Sequence, residues 1–337
     1  MKVLLYTEGL KTFSKSGLGK AIEHQKKALD TVGVPYTLDV NDDFDIVHLN
    51  MYLLRSYYLA RKLKKQGKKI VYHAHSTEED FRNSFILSNQ IAPLFKKWIM
   101  TCYKLGDYVI TPTPYSKKLL EGYGLKNPIA AISNGIEISF FERTKELEKQ
   151  SKELRKKYGF TKDDKVVMAI GLYLERKGIL DFVELAKRLP EYKFIWFGFT
   201  PLYTVPKKIR KAVKTKLPNL VFAGYVPQEE IKQAMASFNL YLFPTLEETE
   251  GIPILEACAM KTPSIIRDIP VFNEWLEDGK NVYKAKDIND FEKKIKAYFN
   301  NELKDLTEEG YKVAQDHDIK IIGKKLKKVY EDVLKQD

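Results

Sequence analysis

The chain has 337 residues, of which 44% are hydrophobic and 30% charged, with a formal net charge of +12. That length exceeds what one core usually fills, so two domains are expected, and the composition excludes a disordered or fibrous chain. The positive balance points to an anionic partner without choosing among a nucleotide diphosphate, nucleic acid and an acidic membrane surface.

From the N-terminus, MKVLLYTEGL carries an acid at Glu8 and runs directly into a strand pattern over residues 3–6, unlike a signal peptide. An amphipathic helix is expected beyond Ser14-Lys-Ser-Gly17-Leu-Gly19-Lys20, followed by strands at 46–49, 69–73, 108–111 and 129–132. Residues 142–157 are charged and helix-prone with no strand character, and they mark the expected boundary between a domain of residues 1–150 and one of residues 151–318. The second domain repeats the pattern with strands at 165–170, 193–197, 220–223, 240–243 and 264–266. Residues 319–337 read as a terminal packing helix returning to the first domain. Short β-rich runs alternating with helices predict an α/β fold in which parallel sheets are covered by helices. The longest uncharged stretch, residues 233–246, is 14 residues long, short of the ~20 that cross a bilayer as a helix. Cys102 and Cys258 fit no disulfide or metal spacing and read as packing residues of a chain in a reducing cytoplasm.

Doubly wound sheets bind ligands outside the carboxyl ends of their strands, so chemistry is expected on those loops, in a cleft shared by two facing sheets. After the strand LYLFP comes Glu248-Thr-Glu-Gly-Ile-Pro-Ile-Leu-Glu256. Amides at Gly251 and Ile252, opening a helix, suit a phosphate, and the flanking carboxylates can accept hydrogen bonds from sugar hydroxyls. The plainer reading is an acidic loop that caps a helix. Gly171-Leu-Tyr-Leu-Glu-Arg-Lys-Gly178 follows the strand VVMAI and places Arg176 and Lys177 at a turn, where cations would stabilise a leaving diphosphate; solvated charges capping a helix are the alternative. Gly17 and Gly19 permit close backbone approach to a phosphate or sugar, or simply make a tight turn. No complete G-x-G-x-x-G stands there and no P-loop motif occurs, which disfavours dehydrogenases and NTPases. His73 and His75 close a strand; His75, at its end, is the candidate for chemistry and His73 for a satisfied core residue. No carboxylate or cysteine spacing supports a metal site beside them, and Asp43-Phe-Asp45 reads as a solvated turn, so no metal is expected.

These motifs resemble the retaining family-four glycosyltransferases of the GT-B fold, which is built of two Rossmann-like domains facing a cleft. The hallmark is two glutamates eight positions apart around a glycine, matched by Glu248, Gly251 and Glu256. The resemblance implies that Glu248 contacts the transferred sugar, that Glu256 holds the ribose hydroxyls, that Lys177 binds phosphate and that His75 meets the sugar near the reacting carbon. Glu250 stands where many members carry an aromatic, and the family's usual arginine falls at Leu172, so Arg176 is expected to replace it from a different position. Asn134-Gly135-Ile136-Glu137 matches the family's turn into the second domain.

GLYLERKG, NLVFAGYV, EETEGIPILEA and YHAHSTEEDFRNSF are also similar to glycolipid synthases that glycosylate glucosyldiacylglycerol. That likeness implies UDP-glucose or UDP-galactose as donor, no further cofactor, a glycolipid acceptor such as glucosyldiacylglycerol, and a peripheral place on the inner face of the cell membrane. A transferase of capsule or cell-wall glycan is the alternative, and no nucleic-acid-binding motif is present. Residues 55–69 hold seven basic and no acidic residues, interleaved with Tyr57, Tyr58, Leu59 and Leu63. Residues 91–105 place Ile91, Leu94, Phe95, Trp98, Ile99, Cys102 and Leu105 at helical spacing beside Lys96, Lys97 and Lys104. Both segments are expected to lie on an anionic surface, the alternative being core-packed helices with solvated outer faces.

Overall fold

The computed structural model describes residues 1–9 and 17–335. The chain forms two compact units, the first comprising Met1–Phe81, Gln90–Glu137 and the C-terminal residues from Asp316, the second Arg82–Asn89 and Ile138–Gln315.

In the first unit β1 (Val3–Tyr6), β2 (Tyr36–Thr37), β3 (Ile46–Leu49), β4 (Lys69–His73), β5 (Tyr108–Thr111) and β6 (Ile129–Ala131) make one parallel sheet in the order β2-β1-β3-β4-β5-β6. Strand side chains alternate between two faces, and both are buried, which explains the nearly continuous apolar runs. Leu4, Val47, Leu49, Ile70, Tyr72 and Val109 meet the helices Leu54–Lys65, Ser88–Tyr103 and Pro114–Gly122. Val3, Leu5, Ile46, Val71 and Ile110 meet the helices Gly17–Thr31 and Ile319–Leu334. Asp318 caps the latter helix by accepting from the Lys320 amide at 2.8 Å, and Ile322, Leu326, Val329, Tyr330 and Val333 form its buried stripe. A Cβ on Gly323 would lie 2.2 Å from the Ala28 carbonyl oxygen, so the two helices cross with their backbones nearly touching.

The second unit holds β7 (Val166–Ile170), β8 (Lys193–Phe197), β9 (Leu220–Gly224), β10 (Leu240–Phe243), β11 (Ser264–Arg267) and β12 (Tyr283–Ala285), parallel in the order β12-β11-β10-β7-β8-β9. Phe182 packs edge-on against Phe194 and Trp196 at 5.4 and 5.2 Å in the core beneath. Strand order reverses between β1 and β3 in one sheet and between β7 and β10 in the other; at such points the loops leave in opposite directions and open a crevice. The edge strands β2 and β12 lie outside the sequence expectation; β2, with two residues, is too short to show a period. Both cysteines are buried thiols, and no helix among the described residues is long and apolar enough to cross a membrane.

Candidate functional site

In the second unit the site is built on the β7/β10 reversal. After β7 the chain makes a single turn of 3-10 helix, Glu175–Lys177, closed by Gly178 in the left-handed region at φ +75°. A Cβ there would lie 2.1 Å from the Pro244 carbonyl oxygen, so only glycine lets this turn rest on the end of β10. That contact brings Arg176 and Lys177 to the loop after β10. The Lys177 ammonium donates to Glu248 Oε1, and Arg176 Nη1 lies 3.9 Å from Oε2 of the same carboxylate. The Leu246 amide donates to the Arg176 carbonyl at 2.7 Å, tying the two loops through their backbones, and Arg176 Nη1 donates to the Glu247 carbonyl at 3.3 Å. Leu172, where the family arginine would stand, packs against the apolar core.

Gly251 caps the helix Ile252–Ala259 with φ +96°, and Pro253 sits in its first turn, where a missing amide hydrogen costs nothing. Glu256 is fully buried on this helix and accepts from Gln228 Nε2 at 2.9 Å. Glu250 is buried as well. The motifs of residues 171–178 and 248–256 thus form one constellation in which two cations face a buried carboxylate. Such an arrangement orients a hydroxyl-bearing ligand and neutralises charge growing on a phosphate.

In the first unit Gly17 opens the helix Gly17–Thr31 and Gly19 is buried in its first turn, whereas Ser14, Lys15 and Ser16 lie outside the described residues. A Cβ on Gly17 would meet nothing within 4 Å among the described residues. His75, just past β4, donates through Nε2 to Asn50 Oδ1 at 3.1 Å, and the Asn50 side-chain nitrogen donates to Gln25 Oε1 at 2.9 Å. His73 stacks on His75 with centroids 3.9 Å apart and planes 10° apart, and His48 also stacks on His73 at 5.2 Å. Parallel rings carry their lone pairs in separate planes, which do not converge on one metal ion, and no cluster of metal-ligating side chains occurs among the described residues. The expectation that His73 is a fully satisfied core histidine is corrected: Nδ1 lies 3.2 Å from His48 Nε2, but Nε2 is buried without a hydrogen-bond partner. His48 Nδ1 also meets the Tyr330 hydroxyl at 2.6 Å, which binds the C-terminal helix into this polar core.

Burial pushes His48 and His75 down to about 3 and His73 well below its ordinary value, so all three rings are neutral at pH 7. An imidazole whose folded value is depressed gives full stability above the unfolded value of about 6.5 and loses it as pH falls below that. The unfolding free energy from urea titrations should therefore decline steadily from pH 6.5 to pH 5, by up to about 1.4 kcal/mol per pH unit for each such ring. His48→Gln should flatten the decline. An unfolding free energy that stays level over this range would mean that the folded unit accepts these protons.

The two basic helices are corrected in part. Phe95, Trp98, Ile99, Cys102, Leu59 and Leu63 face the core, because the sheet needs an apolar cover, whereas Tyr58, Ile91, Leu94 and Lys97 of the same pattern stay on the outer side. Lys96 pairs with Glu78 at 2.5 Å, and Lys64 donates to the Leu105 carbonyl at 3.0 Å and lies 3.4 Å from Asp107. Leu54, Tyr58 and Leu94 are 61%, 63% and 65% exposed, and Ile91, Arg55, Lys62, Lys65 and Lys97 are exposed with them.

Sequence reasoning missed Gln228, Asn50 and Ser84, which hold Glu256, His75 and Arg176 respectively. Each is distant in sequence from the group that it binds, and no local spacing signals the pairing.

Two doubly wound parallel units, one with cations gathered on a carboxylate at its strand reversal, are the architecture that the GT-B resemblance implies. Residues 33–140 match the family described as Glycosyltransferase Family 4 and residues 150–313 that of Glycosyl transferases group 1. The chain is 41% identical to the "Processive diacylglycerol alpha-glucosyltransferase" of Acholeplasma laidlawii over 99% of both chains. It is 23% identical to the "Alpha-galactosylglucosyldiacylglycerol synthase" of Streptococcus pneumoniae R6, covering 81% of this chain and 73% of that protein. The chain therefore belongs to the family-four glycosyltransferases, in the group of glycolipid synthases. In fold it superposes on Anabaena HepE, solved in complex with UDP-glucose, with a TM-score of 0.77 at 16% identity over 98% of this chain and 100% of that one.

Proposed function

We propose that this protein is a retaining hexosyltransferase that moves glucose from UDP-glucose to a diacylglycerol-based glycolipid at the inner face of the cell membrane. The observation that carries the reading is full-length 41% identity to a diacylglycerol glucosyltransferase. The convergence of Lys177 and Arg176 on Glu248 supports it. When the bond between the anomeric carbon and the diphosphate breaks, negative charge grows on the departing oxygens. Lys177 and Arg176 stabilise that charge, helped by the Gly251 and Ile252 amides, so no metal ion is required. Glu248 holds the transferred sugar and Glu256 the ribose hydroxyls. Within the first unit, His75 is proposed to meet a sugar through its ring or backbone, and Gly17 and Gly19 to let the backbone approach a phosphate or sugar. The second unit is thus the donor-binding domain, and the first the acceptor and membrane-facing domain.

The test is a transfer screen with UDP-glucose and UDP-galactose against diacylglycerol, glucosyldiacylglycerol and a polyprenyl phosphate. Transfer of glucose to a diacylglycerol lipid, unaffected by EDTA, is the expected result. Transfer only to polyprenyl phosphate or to a water-soluble glycan would sink the acceptor assignment. Loss of activity in EDTA with recovery on Mg²⁺ would sink the metal-free one.

The exposed Leu54, Tyr58, Ile91 and Leu94, rimmed by Arg55, Lys62, Lys65 and Lys97, give this domain an apolar and cationic surface suited to an anionic bilayer. Each engaged cation contributes roughly 1 kcal/mol, and salt weakens the attraction. Lys62, Lys65 and Lys97 changed together to Glu should release the protein from anionic vesicles while sparing UDP-glucose hydrolysis. Unchanged co-sedimentation of this variant with such vesicles would remove the surface from consideration.

A further inference from the structure

Eight residues of the first half of the chain, Arg82–Asn89, belong to the second unit. Their ends are clasped: the Asn83 amide donates to Asn89 Oδ1 at 2.8 Å, and Asn89 Nδ2 donates back to Asn83 Oδ1 at 2.9 Å. Ser84 and Ser88 are buried inside the clasp, with the Ser84 amide donating to Ser88 Oγ at 3.3 Å. Asn83 and Leu87 take φ of +54° and +65°, the left-handed region that side chains rarely adopt, so the surrounding bonds hold the loop in a shape that it would not take alone. What this shape delivers is a contact with the turn that carries Arg176. The Asn83 carbonyl accepts from the Arg176 amide at 3.2 Å, and Ser84 Oγ accepts from Arg176 Nε at 2.9 Å.

We infer that Ser84 is a positioning residue for Arg176. A guanidinium has five donors in one plane, so a fixed acceptor at Nε sets where its Nη edge points. With Nε on Ser84 and Nη1 on the Glu247 carbonyl and near the Glu248 carboxylate, the plane is held at two edges, and the cation faces the group that Lys177 also meets. Ser84 is 3% exposed and the Arg176 side chain 12%, so water competes little for the bond. Leu172 packs into the core at the position of the family's arginine. An arginine entering from four residues later needs its own support, and the clasped loop provides it. This inference rests on the proposed role of Arg176 toward the donor diphosphate.

The experiment compares UDP affinity by calorimetry, and kcat and KM for UDP-glucose, in Ser84→Ala, Ser84→Thr, Arg176→Ala and the Ser84→Ala/Arg176→Ala double variant. Ser84→Ala should weaken UDP binding and lower kcat/KM about 10-fold, the size of a lost hydrogen bond to a charged group. Ser84→Thr, which keeps the hydroxyl, should restore most of it. The double variant should be no worse than Arg176→Ala alone, since Ser84 then has nothing left to position. Losses that multiply in the double variant, or wild-type kinetics in Ser84→Ala beside an impaired Arg176→Ala, would overturn the role of Ser84. Wild-type UDP affinity in Arg176→Ala would instead overturn the role of Arg176, and with it this inference.

Discussion

Lys177→Ala should lower turnover at saturating UDP-glucose by at least ~100-fold, as should Glu248→Gln, because both act on charge and orientation at the reacting sugar. The two variants differ in what they leave behind. Lys177→Ala leaves the Glu248 carboxylate, 6% exposed, without its ammonium partner and with Arg176 Nη1 at 3.9 Å, so the variant should fold but lose up to about 3–5 kcal/mol of stability. Glu248→Gln keeps the shape and a carbonyl acceptor for Lys177 but removes the negative charge, so melting should change less than turnover. Melting curves and donor-saturation kinetics on the same preparations check this. A variant with wild-type turnover would take its residue out of the site.

Gly178→Ala should be as severe for a different reason. The added methyl would overlap the Pro244 carbonyl at 2.1 Å, on a residue already at φ +75°, so the turn has to move. Strain and overpacking together should remove about 2–4 kcal/mol of stability. Pro244 closes β10 four residues before Glu248, and Lys177 immediately precedes Gly178, so the displacement opens the Lys177–Glu248 pair and turnover should also fall at least ~100-fold. Gly159→Ala is the control. Gly159 has φ +74° but a Cβ there would meet nothing within 4 Å, so the variant should lose only about 1 kcal/mol and keep its turnover. Equal turnover in the two variants would show that the Gly178 contact does not align the site.

Every strand but β2 and β12, together with the helix Ile319–Leu334, was legible from the chain alone, because buried strands and an amphipathic helix repeat over a few neighbouring residues. The loops of residues 171–178 and 248–256 were legible for the same reason: glycines, cations and carboxylates mark where a strand ends and a helix begins. Periodicity reports that a helix has an apolar stripe, not what the stripe meets. Trp98 and Phe95 therefore read equally well as a lipid-facing surface or as the cover of a sheet, and packing against Tyr57 and Tyr52 decided for the sheet. In the same way the local pattern presents Lys64 and Lys96 as surface cations, whereas Asp107 and Glu78 lie beside them in the fold. Chain order and local pattern determined the fold class, the strand ends that carry chemistry and the residue types placed there. Only the tertiary structure decided that Lys177 reaches Glu248 across 71 residues of chain, that Ser84 holds Arg176 across 92 and that Asn50 holds His75 across 25. Such pairings depend on strand order and on one close backbone approach at Gly178, and neither leaves a period or a spacing in the sequence.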